Sequence, residues 1–141
     1  MSAASKGSFI LDSYAILAYL GNEAGGDRVK EILDQAKSKL HQVFLSLISL
    51  GEIAYLIERH RGANAARETI AIIRQLPIEV VEINQEQVFA AAHIQANYPL
   101  SYADAFVVAL AELLDATVIT GDPEFENLPS VVSVEMLPRE S

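Results

Sequence analysis

The chain has 141 residues, enough for one domain with a sizeable core, and 51% of them are apolar, which excludes general disorder. Cysteine is absent, which removes disulfides, thiolate metal sites and cysteine nucleophiles together. Ten Lys and Arg against nineteen Asp and Glu leave a formal net charge of −9, which argues against broad non-specific binding to nucleic acid and suits a cationic partner, a divalent metal or plain solubility.

Residues 1–7 read as a flexible polar tail, 8–137 as one folded domain and 138–141 as a C-terminal tail. Lys6 precedes the apolar run Phe9-Ile10-Leu11, but Asp12 interrupts it and no cleavage site follows, so the start reads as mature protein. No apolar run approaches the length of a membrane span, and the lack of cysteine fits a cytoplasmic protein.

Phe9-Ile10-Leu11 reads as a short buried strand, and Ser13 to Leu20 as a helix stopped by Gly21-Asn22. Gly25-Gly26 opens a second helix with Val29, Ile32, Leu33 and Ala36 on one face. Val43 to Leu45 is the next strand, and Ser46 caps a long helix reaching His60. Gly62 breaks it, and another helix runs from Ala63 to Leu76, where Pro77 follows. Ile78 to Ile83 is a third strand, and Asn84 caps a helix to about Tyr98. Ser101 caps the helix that carries Asp104, and Thr117 to Thr120 is a β-branched strand closed by Gly121-Asp122-Pro123. A loop with Pro129 and a last strand, Val131 to Val134, complete the chain. Strands alternating with helices imply a mostly parallel central sheet covered on both faces.

Chemistry is concentrated in four acids. Asp12 follows a strand and stands where an N-cap would. Glu52 has capping-box spacing from Ser49, but Ser46 is the better cap, which puts Glu52 inside the helix. At about 100° per residue it then points between Ile48 and Leu56, into the apolar face, where an acid needs a compensating charge. Glu58 instead turns towards Arg61 and water. Asp104 complements a helix dipole yet faces Val107 and Val108, and Asp122 doubles as an Asp-Pro turn residue. Each acid alone has an ordinary structural role. Two follow strands and two sit early in helices that follow strand-like segments, so one edge of an open sheet can gather all four, and carboxylates clustered in one pocket imply a cation. Oxygen ligands without cysteine or a suitably spaced histidine pair point to Mg²⁺ or Mn²⁺ and away from Zn²⁺. His41, His60 and His93 read as helix-end or surface residues with no part in this.

The residues resemble the PIN-domain ribonucleases, and within them the VapC-type toxins of toxin–antitoxin pairs. The likeness rests on Phe9-Ile10-Leu11-Asp12-Ser13, then Ser49-x-x-Glu52-Ile53, then Ala103-Asp104-Ala105, then Val118-Ile119-Thr120-x-Asp122-x-x-Phe125, over roughly residues 8–137. It implies a three-layer α/β/α sandwich and a Mg²⁺- or Mn²⁺-dependent endoribonuclease, frequently a homodimer. It also implies a small antitoxin whose basic tail lies along the toxin and reaches the acidic pocket. Asp12, Asp104 and Asp122 would then hold one ion, and Glu52 with Asp104 a second ion or the attacking water. Ser13 and Thr120 would assist as hydroxyl donors or phosphate contacts, or serve only as caps. Glu124 and Glu126 depart from the pattern and add charge beside Asp122. Because the net charge opposes RNA, the substrate needs a local basic strip, for which Arg59, Arg61 and Arg67 are candidates.

Three other readings compete. A haloacid-dehalogenase-like phosphohydrolase needs a second Asp two residues after the first, where this chain has Tyr14. A receiver-type phosphoacceptor wants paired early acids and a late Lys, and no Lys follows Lys39. A catalytically silent PIN-like interaction module would have lost acids, and all four are present.

Overall fold

A computed structural model describes residues 7–128 and 132–139. Five parallel strands, β1 (Gly7–Leu11), β2 (His41–Ser46), β3 (Glu79–Val81), β4 (Thr117–Thr120) and β5 (Val134–Met136), form one sheet in the order β3-β2-β1-β4-β5. Helices α1 (Ser13–Leu20) and α2 (Gly26–Lys37) join β1 to β2, and α3 (Leu47–Arg61) and α4 (Ala63–Arg74) join β2 to β3. The chain then returns through α5 (Gln85–Asn97) and α6 (Tyr102–Leu114) to add β4 on the other side of β1. That reversal puts the switch point of the sheet between β1 and β4, where ligand crevices form in open α/β folds.

Strand alternation divides the core. Ile10, Phe44 and Val118 point to the face covered by α5 and α6, packing on Ala91, Ile94, Phe106 and Leu110. Leu11, Val43, Leu45 and Ile119 point to the other face, against Ile16, Ile32, Ile53 and Ile73 of α1 to α4. Burial on both faces explains why the strands read as apolar runs without polar alternation. The architecture is thus the three-layer α/β/α sandwich expected from sequence, with every strand parallel.

Caps follow the sequence closely. Asp12, Ser46, Asn84 and Ser101 each accept a hydrogen bond from the backbone of the helix that follows. Gly62, with φ of 92°, makes the break between α3 and α4. Differences lie at ends. The third strand is confined to Glu79–Val81, and α4 stops at Arg74. The last strand is Val134–Met136, two residues later than expected at its end, while Pro129 and Val131 lie outside the described residues. His41 is a strand residue. Its Nδ1 accepts from the Gly7 N–H at 3.1 Å and its ring meets Phe9 edge-on.

One close approach sits beside the switch point. A Cβ on Gly121 would lie 2.2 Å from a ring carbon of Tyr14, so the ring packs directly against the backbone that leaves β4. Gly121→Ala is expected to destabilise the fold by about 1–3 kcal/mol through overpacking. The same substitution on a Tyr14→Ala background should cost clearly less, as denaturant titration of the four proteins would show; purely additive losses would contradict the contact.

Candidate active site

The edge above the carboxyl ends of β1 and β4 collects carboxylates from four separate stretches of chain. Asp12 leaves β1, Glu52 comes from α3, Asp104 from the first turn of α6, and Asp122 leaves β4. Each position has a local reason. Asp12 caps α1, its Oδ1 accepting from Ala15 N–H at 2.9 Å, and Asp122 caps a 3₁₀ helix, Pro123–Asn127, accepting from Glu124 N–H at 2.9 Å. Asp104 donates its backbone N–H to the Ser101 cap at 3.3 Å. Local capping fixes the backbone, and the sheet brings the pieces together.

Thr120 joins them. Its hydroxyl is fully buried, donates to Asp12 Oδ2, and accepts from Asp122 N–H at 2.9 Å. Ser13 plays the matching part on the other side, donating to Glu52 Oε1 at 2.6 Å and so tying α1 to α3. Glu52 is half-buried, in keeping with its place on an inward face, and Glu58 is exposed.

The tightest group differs from the set read in the sequence. Asp104, Asp122 and Glu124 each place a carboxylate oxygen within 4.8 Å of the others, and the described residues hold no second group of this kind. Glu124 is the acid whose role sequence reasoning left open. Its Oε1 accepts from Ser101 N–H at 2.9 Å, which anchors it to the start of the helix bearing Asp104. Glu126 turns away and pairs with Arg139 at 2.7 Å. Asp12 stands beside the trio with both oxygens already bonded, and Glu52 approaches from across the site.

Electrostatics record the crowding. Burial pushes the Asp12 carboxyl up to about 7, against the Thr120 and Ala15 hydrogen bonds, with the charges of Asp122 and Glu52 adding to the rise. Burial likewise lifts Asp104 to about 8, helped by its hydrogen bond to Asp122, the charges of Asp122 and Asp12, and a hydrogen bond to Glu124. Without a cation the cluster therefore holds together by retaining protons. Oxygen-only donors and charge in excess of what the pocket supports fit a hard divalent ion.

Other expected features fall elsewhere. Arg59, Arg61 and Arg67 are exposed, but they lie at the α3–α4 turn, and Arg61 is nine residues beyond Glu52, about 13 Å along the helix. Arg59 donates to the Tyr55 hydroxyl and Arg67 to Asn64. His60 and His93 are exposed, His60 at the far end of α3 from Glu52 and His93 on α5.

Comparison with known proteins agrees with this architecture. The model of the PIN domain matches residues 9–131, and the chain belongs to that family. Among solved structures it is similar to a chain of VapBC2 from Rickettsia felis, a complex bound to a DNA fragment from their promoter, with 15% identity, a TM-score of 0.72 and coverage of 93% of this chain and 99% of that one. It is also similar to VapC20 of Mycobacterium tuberculosis, a Sarcin-Ricin loop cleaving toxin, at 23% identity and a TM-score of 0.69, covering 92% and 99% of the two chains. FitAcB of Neisseria gonorrhoeae aligns at 18% identity and a TM-score of 0.64, over 89% and 95%. These likenesses show the fold. Curated proteins yield no sequence match.

A pH dependence follows from the raised carboxyls. Between the ordinary value of 3.8 and about 8 the folded chain holds more protons than the unfolded one, so stability falls as pH rises through that window. In chelator, Tm should therefore decline from about pH 4 to about pH 8, and Asp104→Asn should remove part of the decline. Equal slopes in thermal melts of the two proteins would show that Asp104 is not the strained acid.

Proposed function

We propose that this chain is a metal-dependent endoribonuclease that hydrolyses RNA phosphodiester bonds, acting as the toxin of a toxin–antitoxin pair in the cytoplasm. The observation that carries the reading is the convergence of carboxylates from β1, α3, α6 and β4 on the switch point of the sheet. A bound Mg²⁺ or Mn²⁺ would acidify a water and neutralise charge gathering on the phosphoryl oxygens. Asp104, Asp122 and Glu124 would hold it, with Asp12 completing the set, a reading supported by the proximity of their carboxylates. Thr120 keeps Asp12 and Asp122 at fixed separation, so the ligands need little rearrangement. Glu52, steadied by Ser13, faces the group from α3 and orients the attacking water or holds a second ion with Asp104. Retention of Asp12, Glu52, Asp104 and Asp122 in one place disfavours a silent interaction module.

A protein partner is supported by a groove between α1 and the α3–α4 hairpin. Leu17, Leu20, Leu56, Ile57 and Ile72 line a space of about 550 Å³, with Glu23, His60 and Arg61 among its polar lining. Both α1 and α3 begin at the acidic edge, joined there by the Ser13–Glu52 hydrogen bond, so a helix laid along the groove runs towards the site. Several structural neighbours are toxin–antitoxin assemblies, which supports an antitoxin as the occupant, with a basic side chain at its end reaching the carboxylates.

Two outcomes test these readings. Labelled single-stranded RNA should be cleaved only with Mg²⁺ or Mn²⁺, and Asp104→Asn should reduce the rate by on the order of 10²-fold or more while the fold persists. Undiminished cleavage by that variant would remove Asp104 from the mechanism. Separately, Leu56→Asp should abolish capture of the antitoxin encoded beside this gene and leave RNA cleavage near the parental rate. Loss of cleavage with intact capture would place the partner elsewhere.

A further inference from the structure

An acidic site that handles a polyanion needs a cation at its rim, and the α3–α4 arginines are too distant to provide it. The connections at the carboxyl edge can be read directly. Asp12-Ser13, Ser46, Glu82 to Asn84, Pro99 to Ser101 and Gly121 to Leu128 contain no Lys or Arg. Arg139 is different. Thr120 pairs with Met136, and Leu137 N–H donates to Thr120 O at 2.7 Å, so Pro138 and Arg139 emerge from β5 at the edge where Asp122 leaves β4.

There Arg139 lines a pocket of about 310 Å³ with Tyr14, Glu23 and Ala24. Tyr14 is the ring packed on Gly121, one residue from Asp122, so the pocket adjoins the acidic cluster through that ring. The guanidinium is paired with Glu126, four residues beyond Asp122, and both side chains are partly exposed, at 43% and 44%. An exposed pair of this kind contributes little to stability and exchanges readily for a better acceptor. A phosphate oxygen is such an acceptor, since it offers the fork geometry of a carboxylate with a fuller charge. The space is at the low end of ligand pockets, which suits one phosphate and its sugar and not a duplex.

We propose that Arg139 binds a backbone phosphate of the single-stranded RNA next to the scissile one, with Glu126 as its partner in the free protein and Tyr14 as the wall between that phosphate and the acids. This rests on the nuclease reading and adds to it a substrate-positioning residue. The acids would hold the ion that offsets the charge of the reacting phosphate, and Arg139 fixes which neighbouring phosphate lies where.

The test is fluorescence anisotropy of a labelled single-stranded RNA on an Asp104→Asn background that does not cleave it, together with steady-state cleavage on the unmodified background. Arg139→Ala should weaken Kd by roughly two- to fivefold at low salt and lower the slope of log K against log salt by about 0.7. In cleavage it should raise KM more than it lowers kcat. Arg139→Lys should recover part of the affinity, and Glu126→Gln, which frees the guanidinium and removes an anion, should tighten binding. A structural tether would behave otherwise: both partners' variants would weaken binding alike and lower Tm together. That result, or a parental Kd and salt slope for Arg139→Ala, overturns the proposal. So does loss of antitoxin capture with unchanged RNA affinity, which would assign Arg139 to the protein interface. If the parental protein neither binds nor cleaves RNA with either metal, the nuclease reading itself fails and this inference falls with it.

Discussion

The Thr120 hydroxyl is the small contact on which the site depends. It is fully buried between two strands, donating to one acid and accepting from the backbone of another. Asp12 and Asp122 lie far apart in sequence and close in space because β1 and β4 are neighbours, and Thr120 converts that adjacency into a fixed separation. Burial makes the bond strong, and the same burial makes an unpaired carboxylate there costly. Position and strain thus have one cause.

The strain has a direction. Asp12 and Asp104 hold protons well above the ordinary carboxylate range because desolvation and mutual charge penalise the ionised forms. A cation would reverse both penalties, drawing the protons off and turning repulsion among ligands into attraction for the ion. The fold therefore spends stability on the metal-free site, a pattern common to functional sites. Most of the remaining acids are exposed and account for the charge of the surface.

Two neighbouring cavities lie beside the cluster, and Glu23 lines both. The apolar groove comes in along α1 and α3, on the side where Ser13 holds Glu52. The small pocket beside Tyr14 lies at the end of β5, next to the turn that carries Asp122.

The sequence by itself determined the helices, their caps, the buried strands and the acids at strand and helix ends. Those are local properties: Ser101 caps because of the residues after it, and the apolar run at the end of β1 goes inside, with Ile10 and Leu11 buried. That one edge of a parallel sheet can gather the four acids was legible through resemblance and the alternation of elements, whereas the order of the strands was not. Only the tertiary structure chose between Glu124 and Glu126. Two residues apart on a 3₁₀ helix, they look alike in sequence. One turns to the Ser101 N–H and the acids, the other to Arg139, because those partners come from α6 and the end of β5. It likewise set Arg139 at the edge where Asp122 leaves β4 and Arg61 at the far end of α3. Helix length carries Arg61 away from the site, while sheet register carries a residue near the end of the chain back to it. Register and long-range pairing leave no trace in local pattern, which is the physical reason those two assignments required the fold.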